Sequence, residues 1–382
     1  MKKFCFYFSF LALVISFNVS NSIADKLPKN ISWTAYGTTS SGYAQSVGIG
    51  QMLKKNYGTD LRIIPGKNDV SRMVPLKAGQ AEICACGIAS LFAQEGVFMF
   101  ADKKWGPMKV YNMFNNIGRN GQTVATAADA NIKTMADLRG KRVTWVKGSP
   151  ALNGNMAGFL AFGGLTWDDV VKVEVSGYGA SANAVINGQA DASMGSSVSS
   201  IFNKTNASPR GLFFPPMPHN DEVSWKRAIA TAPHFAKAVV TNFVGSSDSN
   251  KSFEGMNYPY PIFVTMETTS EDLSYHLTEA VMDNYDQFKD SGPGMDGYQL
   301  SNQNFSWIFP YHPGAVKFYK KKGVWTSKHD KHNANLIKRQ DVLAKAWQKT
   351  LKANLSGDAF KKKWLENRAS GLKDAGMPNA YN

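Results

Sequence analysis

Cysteine is scarce in this chain, which has three cysteines among 382 residues. Cys5 lies close to the amino terminus, which leaves Cys84 and Cys86 for the folded protein. On a strand, their side chains point to the same face about 6.6 Å apart, which is too far for easy disulfide formation. A Cys-x-Cys pair with no histidine close by is also a weak metal signal. We therefore expect two small buried residues, and neither a disulfide nor a metal site.

Apolar stretches long enough to cross a membrane are also absent. The one pronounced apolar run, Phe4–Phe17, is shorter than the ~20 residues that a spanning helix needs. Two lysines precede it and the small-x-small sequence Ser22–Ala24 follows it, a pattern that predicts a signal peptide over residues 1–24, cleaved after Ala24. The protein is thus expected to be exported to the periplasm, with an uncleaved anchor as the alternative.

Signatures of nucleotide cofactors and of nucleic-acid binding are missing. The loop Gly37–Gly42 has no lysine, so it does not fit the Walker pattern, and its two glycines do not supply a dinucleotide fingerprint. The net charge of +14 comes without a zinc-finger, helix-turn-helix or RNP motif. No histidine has metal-ligand spacing with carboxylates or fits a Ser–His–acid triad. We therefore expect no cofactor, no metal, no nucleic-acid partner and no catalytic residue.

The stretch Ile31–Gly58 carries the strongest local signal in the chain. β-Branched and aromatic residues over Ile31–Tyr36 predict a strand, Gly37–Gly42 predicts a polar loop, and the apolar spacing from Tyr43 predicts a helix that ends near Gly58. A loop that leads from a strand into a helix offers free backbone N–H groups and the positive end of the helix dipole. The pattern indicates a site for a small acidic solute, while a loop whose hydroxyls only cap the helix stays open as the alternative.

Strands and helices alternate through the rest of the chain. Asp60–Ile64 is a predicted strand, Val143–Val146 opens a second set of strands and helices, and Arg210–Phe214 is predicted as a further strand. This alternation predicts two α/β lobes, each with a mostly parallel sheet flanked by helices. Ligands of such sheets lie beyond the carboxyl ends of the strands. The loop Gly148–Asn153 should therefore face Gly37–Gly42 across a cleft.

Three segments carry a resemblance to a known family. They are GTTSSGY with PGKNDVSRMVPLKAGQAEI, IKTMADLRGKRVTWVKGSPALN, and HPGAVKFYKKKGVW, within residues 37–83, 132–153 and 312–325. In this order they resemble the TAXI family, the solute-binding components of a class of TRAP transporters, over most of the mature chain. The resemblance implies a type II-like periplasmic binding protein with its ligand cleft between two lobes. It further implies that a small organic anion, a carboxylate such as glutamate or a 2-oxo acid in known members, is delivered to the membrane subunits of a TRAP transporter.

The family's ligand loops and the strand-end rule together give the candidate ligand-binding residues. They are Thr38, Thr39, Ser40, Ser41, Tyr43, Asn68, Ser149, Asn153 and Ser181. Ser40 and Ser41 stand where the family's loop has glycines, which narrows the loop. Asn68 is expected to hydrogen-bond the ligand, and Asp69 to cap the helix that follows.

The expected organisation is a signal peptide (1–24), lobe 1 (25–118, completed by 263–382) and lobe 2 (119–262). Near the end, Lys317–Lys363 holds fourteen Lys and Arg against three Asp. This segment is expected to be a solvated helical face or a surface that meets an acidic partner or a membrane. Two other functions stay open: a ligand-sensing partner of a signalling receptor, and a periplasmic hydrolase with Cys84 or a serine of the first loop as nucleophile.

Overall fold

A computed structural model describes residues 27–381, so the predicted signal peptide, Met1–Ala24, lies outside the described residues. The described part forms two sheets flanked by helices and confirms the predicted two-lobed α/β fold. The prediction that each sheet is mostly parallel is wrong, because both sheets combine two parallel pairings with at least two antiparallel ones. The strands are β1 Asn30–Tyr36, β2 Asp60–Gly66, β3 Ile83–Cys86, β4 Val110–Asn115, β5 Gln122–Thr126, β6 Arg142–Val146, β7 Val171–Val175, β8 Ala192–Ser196, β9 Ala236–Val240, β10 Phe253–Asn257 and β11 Ile262–Met266. The α-helices are α1 Ser41–Tyr57, α2 Asp69–Lys77, α3 Ala89–Glu95, α4 Pro150–Phe162, α5 Tyr178–Ile186, α6 Ser200–Ala207, α7 Glu222–Thr231, α8 Glu271–Asp283, α9 Tyr285–Phe288, α10 Pro313–Lys321, α11 Ser327–Leu351 and α12 Gly357–Asp374.

Lobe 1 is built on a sheet with the strand order β2-β1-β3-β11-β4. β1 pairs in parallel with β2 and β3, while β11 runs antiparallel to β3 and β4. All four residues of β3 are buried, as expected for a central strand whose sheet is covered on both faces. The carboxyl ends of β1, β2 and β3 therefore meet at one edge of the sheet.

Lobe 2 is built on a sheet with the strand order β7-β6-β8-β5-β10-β9. β6 pairs in parallel with β7 and β8, and β5, β10 and β9 add antiparallel pairings. The chain crosses between the lobes after β4 and returns before β11. These two crossing segments are hydrogen-bonded side by side, since Tyr260 N donates to Asn116 O at 2.8 Å and Asn257 Nδ2 donates to Gly118 O at 3.2 Å. They form the connection about which the lobes can move.

Helix α1 follows the sequence signals at both of its ends. Ser40 is the N-cap, and its hydroxyl accepts a hydrogen bond from Tyr43 N at 3.2 Å. Gly58 ends the helix in the left-handed region, with φ of 67°, and its N–H bonds to Lys54 O at 3.0 Å. The helix thus begins directly after β1 and leads the chain back to the start of β2.

The basic carboxyl-terminal segment lies on helices that pack against lobe 1. Arg339 of α11 and Arg368 of α12 both bind the buried carboxylate of Glu95 in α3, at 2.7 Å and 2.6 Å. Gln340 donates to Gln94 at 2.8 Å. No helix of residues 27–381 is both long and apolar enough to cross a bilayer.

Two sequence-based expectations are wrong. Arg210–Phe214 does not form a strand; only an isolated bridge between Phe213 and Thr126 is present, because the chain leaves the sheet edge at once for the following loop. Cys84 and Cys86 are joined by a disulfide, with their Cα atoms 5.1 Å apart. In an ideal extended strand the two Cα atoms would lie about 6.6 Å apart, a separation that predicts no disulfide. The backbone of β3 brings them closer than that.

Candidate functional site

A cavity lies between the lobes, at the carboxyl ends of β1 and β3 and opposite the start of α4. Its lining residues come from both lobes: Tyr36, Arg72, Gly87, Gln122, Ala151, Leu152, Asn155, Tyr178, Gly195, Ser196, Ser199, Tyr258 and Tyr260. The space that a water-sized sphere can occupy is about 20 Å³, which is room for roughly one water molecule. The lobes are therefore nearly shut on each other, and a larger solute can enter only if they open.

A guanidinium lies at the lobe 1 side of this cavity. Arg72 is 0% exposed and its Cζ lies 3.4 Å from the centroid of the Tyr36 ring. One of its terminal nitrogens binds Asp69 Oδ1 at 2.6 Å, and the other donates to Ala85 O at 3.3 Å. The Tyr36 ring is stacked in turn on Tyr178 of lobe 2, with centroids 5.6 Å apart. Cation and aromatic rings thus form one column across the lobe boundary.

Asp69 also connects the two lobes. Its Oδ2 accepts a hydrogen bond from Ala151 N at 2.8 Å, at the amino terminus of α4. Its other oxygen accepts from the Tyr36 hydroxyl, which lies 3.1 Å from Ser149 Oγ of lobe 2. The anion-binding end of α4, which the sequence assigned to a solute, is therefore occupied by a carboxylate of the protein itself.

The prediction that Asp69 caps its helix is wrong. Asn68 is the N-cap of α2, because its side chain accepts from Ser71 N at 2.9 Å and Ser71 Oγ accepts from Asn68 N at 3.1 Å. With the cap supplied by Asn68, the Asp69 side chain is free to turn into the lobe boundary.

Further hydrogen bonds hold the closed arrangement. They are Asn68 Nδ2 to Lys147 O (3.0 Å), Val70 N to Gly148 O (3.2 Å), Tyr178 N to Lys67 O (2.9 Å) and Ser200 Oγ to Thr39 O (3.1 Å). All four join lobe 1 to lobe 2, and all four use backbone carbonyls of the loops that follow β1, β2 and β6. The predicted loops both lie at the lobe boundary, but in these contacts Gly37–Gly42 meets Ser200, while Gly148–Asn153 meets the start of α2. Direct facing of the two loops stays a prediction.

Burial controls the ionisation of the cavity residues. Burial raises the pKa of Tyr260 to about 12, against the opposing effect of Arg72, and it raises the pKa values of Tyr36, Tyr178 and Tyr258 as well. Burial acts to lower the pKa of Arg72, but the neighbouring Tyr36 and Asp69 outweigh it and the pKa is raised. At neutral pH the cavity therefore has uncharged phenol groups around a charged guanidinium.

Two buried donors at the cavity have no partner in the described part of the chain. They are Arg72 Nε and Gln122 Nε2. Buried polar groups are nearly always hydrogen-bonded in folded proteins, so each such exception calls for an explanation. An acceptor-rich solute between the lobes would satisfy both. Among residues 27–381 no group of three or more His, Cys, Asp or Glu side chains could hold a metal ion.

None of the nine candidate ligand-binding residues lines the cavity, although all lie near the lobe boundary or the loops that form it. Thr38 is exposed, Thr39 and Tyr43 are half-buried, and Ser41 Oγ is buried without a partner among the described residues. The side chain of Asn153 is hydrogen-bonded to the end of β6: its Oδ1 accepts from Val146 N at 2.9 Å and its Nδ2 donates to Val146 O at 3.0 Å. Their contact with a solute stays a prediction.

Ser181, Ser149, Ser40 and Asn68 have protein partners in the closed form. Ser181 Oγ donates to Tyr178 O at 2.7 Å, while Ser149 meets the Tyr36 hydroxyl, and Ser40 and Asn68 cap their helices. Such side chains can meet a solute only if these bonds rearrange when the lobes open.

Sequence reasoning missed Arg72, Gln122 and Tyr36. One signal was present: Asp69, Arg72, Met73 and Leu76 share the i, i+3, i+4, i+7 stripe of α2, and all four are buried. An acid and a base on an apolar stripe indicate a buried ion pair, which places Arg72 in the interior. Nothing comparable marked Gln122, because its position depends on how the lobes meet.

A family model described as the NMT1-like family matches residues 34–323. No curated protein sequence matches the chain. The alkanesulfonate-binding protein SsuA from Xanthomonas axonopodis pv. citri, solved bound to MOPS, is 16% identical over 84% of this chain and 92% of its own, with a TM-score of 0.43.

Two other solved structures show a similar degree of likeness. A structure from work on glutathione import via GshT and the cystine ABC importer TcyBC of Streptococcus mutans is 13% identical over 72% of this chain and 99% of its own, with a TM-score of 0.46. An ancestral arginine-binding protein bound to arginine is 12% identical over 77% of this chain and 98% of its own, with a TM-score of 0.41.

Proposed function

The chain belongs to the NMT1-like family, and from this and from the interlobe cavity we propose that it is an extracytoplasmic solute-binding protein that captures a small organic anion. The observation that carries the proposal is Arg72: a fully buried guanidinium on the cavity wall whose Nε–H has no partner among the described residues. Asp69 uses one edge of the guanidinium and leaves the Nε edge for a second carboxylate.

The remaining lining fits the same kind of solute. Gln122 Nε2 offers a second donor, and Tyr36, Tyr178, Tyr258 and Tyr260 offer flat apolar faces for a short carbon skeleton. Arg72 is a cation, and two donors of the lining have no partner among the described residues, which favours an anion over a cation. Closure about the two crossing segments then excludes water from the bound ion pair and strengthens it.

We further propose that the captured solute is handed to the membrane subunits of a TRAP-type transporter. The sequence resemblance to the TAXI family supports this finer assignment, and the lobe limits at 25–118, 119–262 and 263–382 are proposed with it. A hydrolase that uses Cys84 as nucleophile is disfavoured because that sulfur is bonded to Cys86.

Thermal-shift screening of the mature protein against small carboxylates and sulfonates tests the proposal. We expect at least one acid to raise the midpoint of unfolding in a concentration-dependent way, because a ligand that binds only the folded state stabilises it. The acid should be recovered unchanged after incubation, as judged by NMR. No stabilisation by any acid, or turnover of the one that binds, would contradict the proposal. Co-purification with transporter subunits, and not with a sensor kinase, separates delivery from signalling.

A further inference from the structure

Helix α11 carries a straight row of lysines. Its members are spaced by three, four or seven residues, and all six are exposed: Lys328, Lys331, Lys338, Lys345 and Lys349 of α11, and Lys352, the C-cap of the helix. Spacing of this kind keeps side chains on one side of a helix, here within about a third of its circumference. At 1.5 Å per residue the row is roughly 36 Å long. We call these six residues the lysine row.

The lysine row is not paired with acids of the protein. Within residues 27–381 none of its six members has an ion pair, while both acids of α11 are used elsewhere: Asp330 binds Lys320 at 2.9 Å and Asp341 binds Lys109 at 3.0 Å. Asp374 of α12 lines the groove beside Lys345 and Lys349 without forming an ion pair. The row is therefore a continuous line of positive charge with one carboxylate on its flank.

The composition of the row favours a lipid surface over a protein partner. Protein interfaces are enriched in aromatic residues and arginine and depleted in lysine. The row contains only lysines, with Asn335 and Val342 at its two other positions. Arg339, the arginine of the same helix, faces inwards and binds Glu95. Binding to a flat array of phosphate head groups requires positive charge but not the planar, bidentate geometry of arginine. Lysine ammonium groups on flexible side chains meet this requirement.

We propose that the lysine row is the face by which this protein rests on a membrane that carries anionic phospholipids. The interaction is electrostatic, since the row has no apolar anchor that could enter the bilayer. It would hold the protein close to the plane of the proposed transporter. The protein would then reach the transporter by diffusion along the membrane surface instead of through the surrounding solution. The solute cavity takes no part in it.

Co-sedimentation with lipid vesicles tests this proposal. The mature protein is expected to sediment with vesicles of phosphatidylcholine mixed with phosphatidylglycerol, to stay in solution with phosphatidylcholine alone, and to dissociate as salt is raised. A variant with Lys331→Gln, Lys338→Gln, Lys345→Gln and Lys352→Gln should lose at least about tenfold in vesicle affinity, from about fivefold per basic residue discounted for screening. Its stabilisation by the acid found in the thermal-shift screen should stay unchanged.

The matched control removes the same number of positive charges, four, from other parts of the surface. Lys29, Lys55, Lys204 and Lys226 are exposed, lie outside α11 and form no ion pair within residues 27–381. Their simultaneous replacement by Gln should reduce vesicle affinity by less than about threefold. Equal losses in the two variants would show that net charge alone drives binding, and would overturn the assignment to the row. Sedimentation that does not depend on phosphatidylglycerol would also overturn it, as would binding to the acidic face of a transporter subunit without binding to vesicles.

Discussion

The Asp69 carboxylate of lobe 1 accepts a hydrogen bond from the backbone N–H of Ala151 in lobe 2, at 2.8 Å. This contact joins the first turn of α2 to the amino terminus of α4, so the dipole of a helix in one lobe is met by a charge from the other. Because Asp69 also binds Arg72, the same carboxylate holds the lobes together and fixes the guanidinium at the cavity. The closed arrangement and the proposed recognition of a solute therefore depend on the same ion pair.

Replacing Asp69 by Asn tests the ion pair. The variant keeps the shape of the side chain but leaves the Arg72 guanidinium buried without a counter-charge, so the free energy of unfolding at pH 7 should fall by about 3–5 kcal/mol. Urea denaturation measures this change.

The double variant Asp69→Leu, Arg72→Met is the control. It removes both charges and leaves no buried ion unpaired, so it should be more stable than Asp69→Asn by at least about 1 kcal/mol. If Asp69→Asn is as stable as the wild type, the ion pair between Asp69 and Arg72 contributes nothing to the stability of the fold.

Closure itself can be tested at Gly148. Its φ of 73° lies in the left-handed region, and a Cβ there would lie 2.6 Å from Asn68 Nδ2 of the opposite lobe. Gly148→Ala should therefore favour the open form and enlarge the radius of gyration measured by small-angle X-ray scattering.

Gly140 provides a matched comparison, because its φ is 71° and a Cβ there meets nothing within 4 Å. Both alanine variants should lose about 1–2 kcal/mol through backbone strain. Only Gly148→Ala should change the radius of gyration. A change of equal size in both variants would mean that the lobes do not close through this contact.

His234 predicts a specific pH dependence of stability. Burial lowers its pKa to about 3, and its Nε2 lies 2.7 Å from Oδ1 of Asn155, a cavity residue. Below a pH of about 6.5, His234 is protonated in the unfolded chain but stays neutral in the folded protein. The free energy of unfolding therefore falls as the pH is lowered towards 3. Between pH 7 and pH 5 this effect amounts to about 2 kcal/mol.

His234→Gln keeps a donor and an acceptor at this position but does not titrate. Its loss of stability between pH 7 and pH 5, measured by urea denaturation, should be smaller than that of the wild type by about 2 kcal/mol. Identical pH profiles for the two proteins would mean that folding does not lower the pKa of His234, and would contradict this account.

The sequence predicted the parts of the fold that depend on local pattern. The helix expected between Tyr43 and Gly58 is α1, Ser41–Tyr57, because a serine cap and a left-handed glycine determine its two ends. The alternation of strands and helices from β1 to β3 and from β6 to β8 likewise follows from periodicity, and the two-lobed architecture follows from that alternation. The antiparallel strands β9 and β10 were not predicted.

The detailed contacts of the site could not be predicted in the same way. Whether Asn68 or Asp69 caps α2 depends on small differences in backbone angle, and the choice decides which side chain reaches the other lobe. Gln122 lies on β5 of lobe 2 and Arg72 on α2 of lobe 1, and only the docking of the lobes brings both to one cavity. Long-range packing of this kind leaves no periodic trace in a sequence.

Isothermal titration of the wild type and of Asp69→Leu, Arg72→Met with the acid that gives the largest thermal shift tests the central claim most directly. The double variant leaves no unpaired buried charge, so lost binding reports on the Asp69–Arg72 pair as a unit, that is, on the guanidinium together with the interlobe contact of Asp69. We expect the wild type to bind the acid and the double variant to bind it at least about 100-fold more weakly, as for a buried charge-assisted pair. Affinities within twofold of each other would contradict a site built on Arg72.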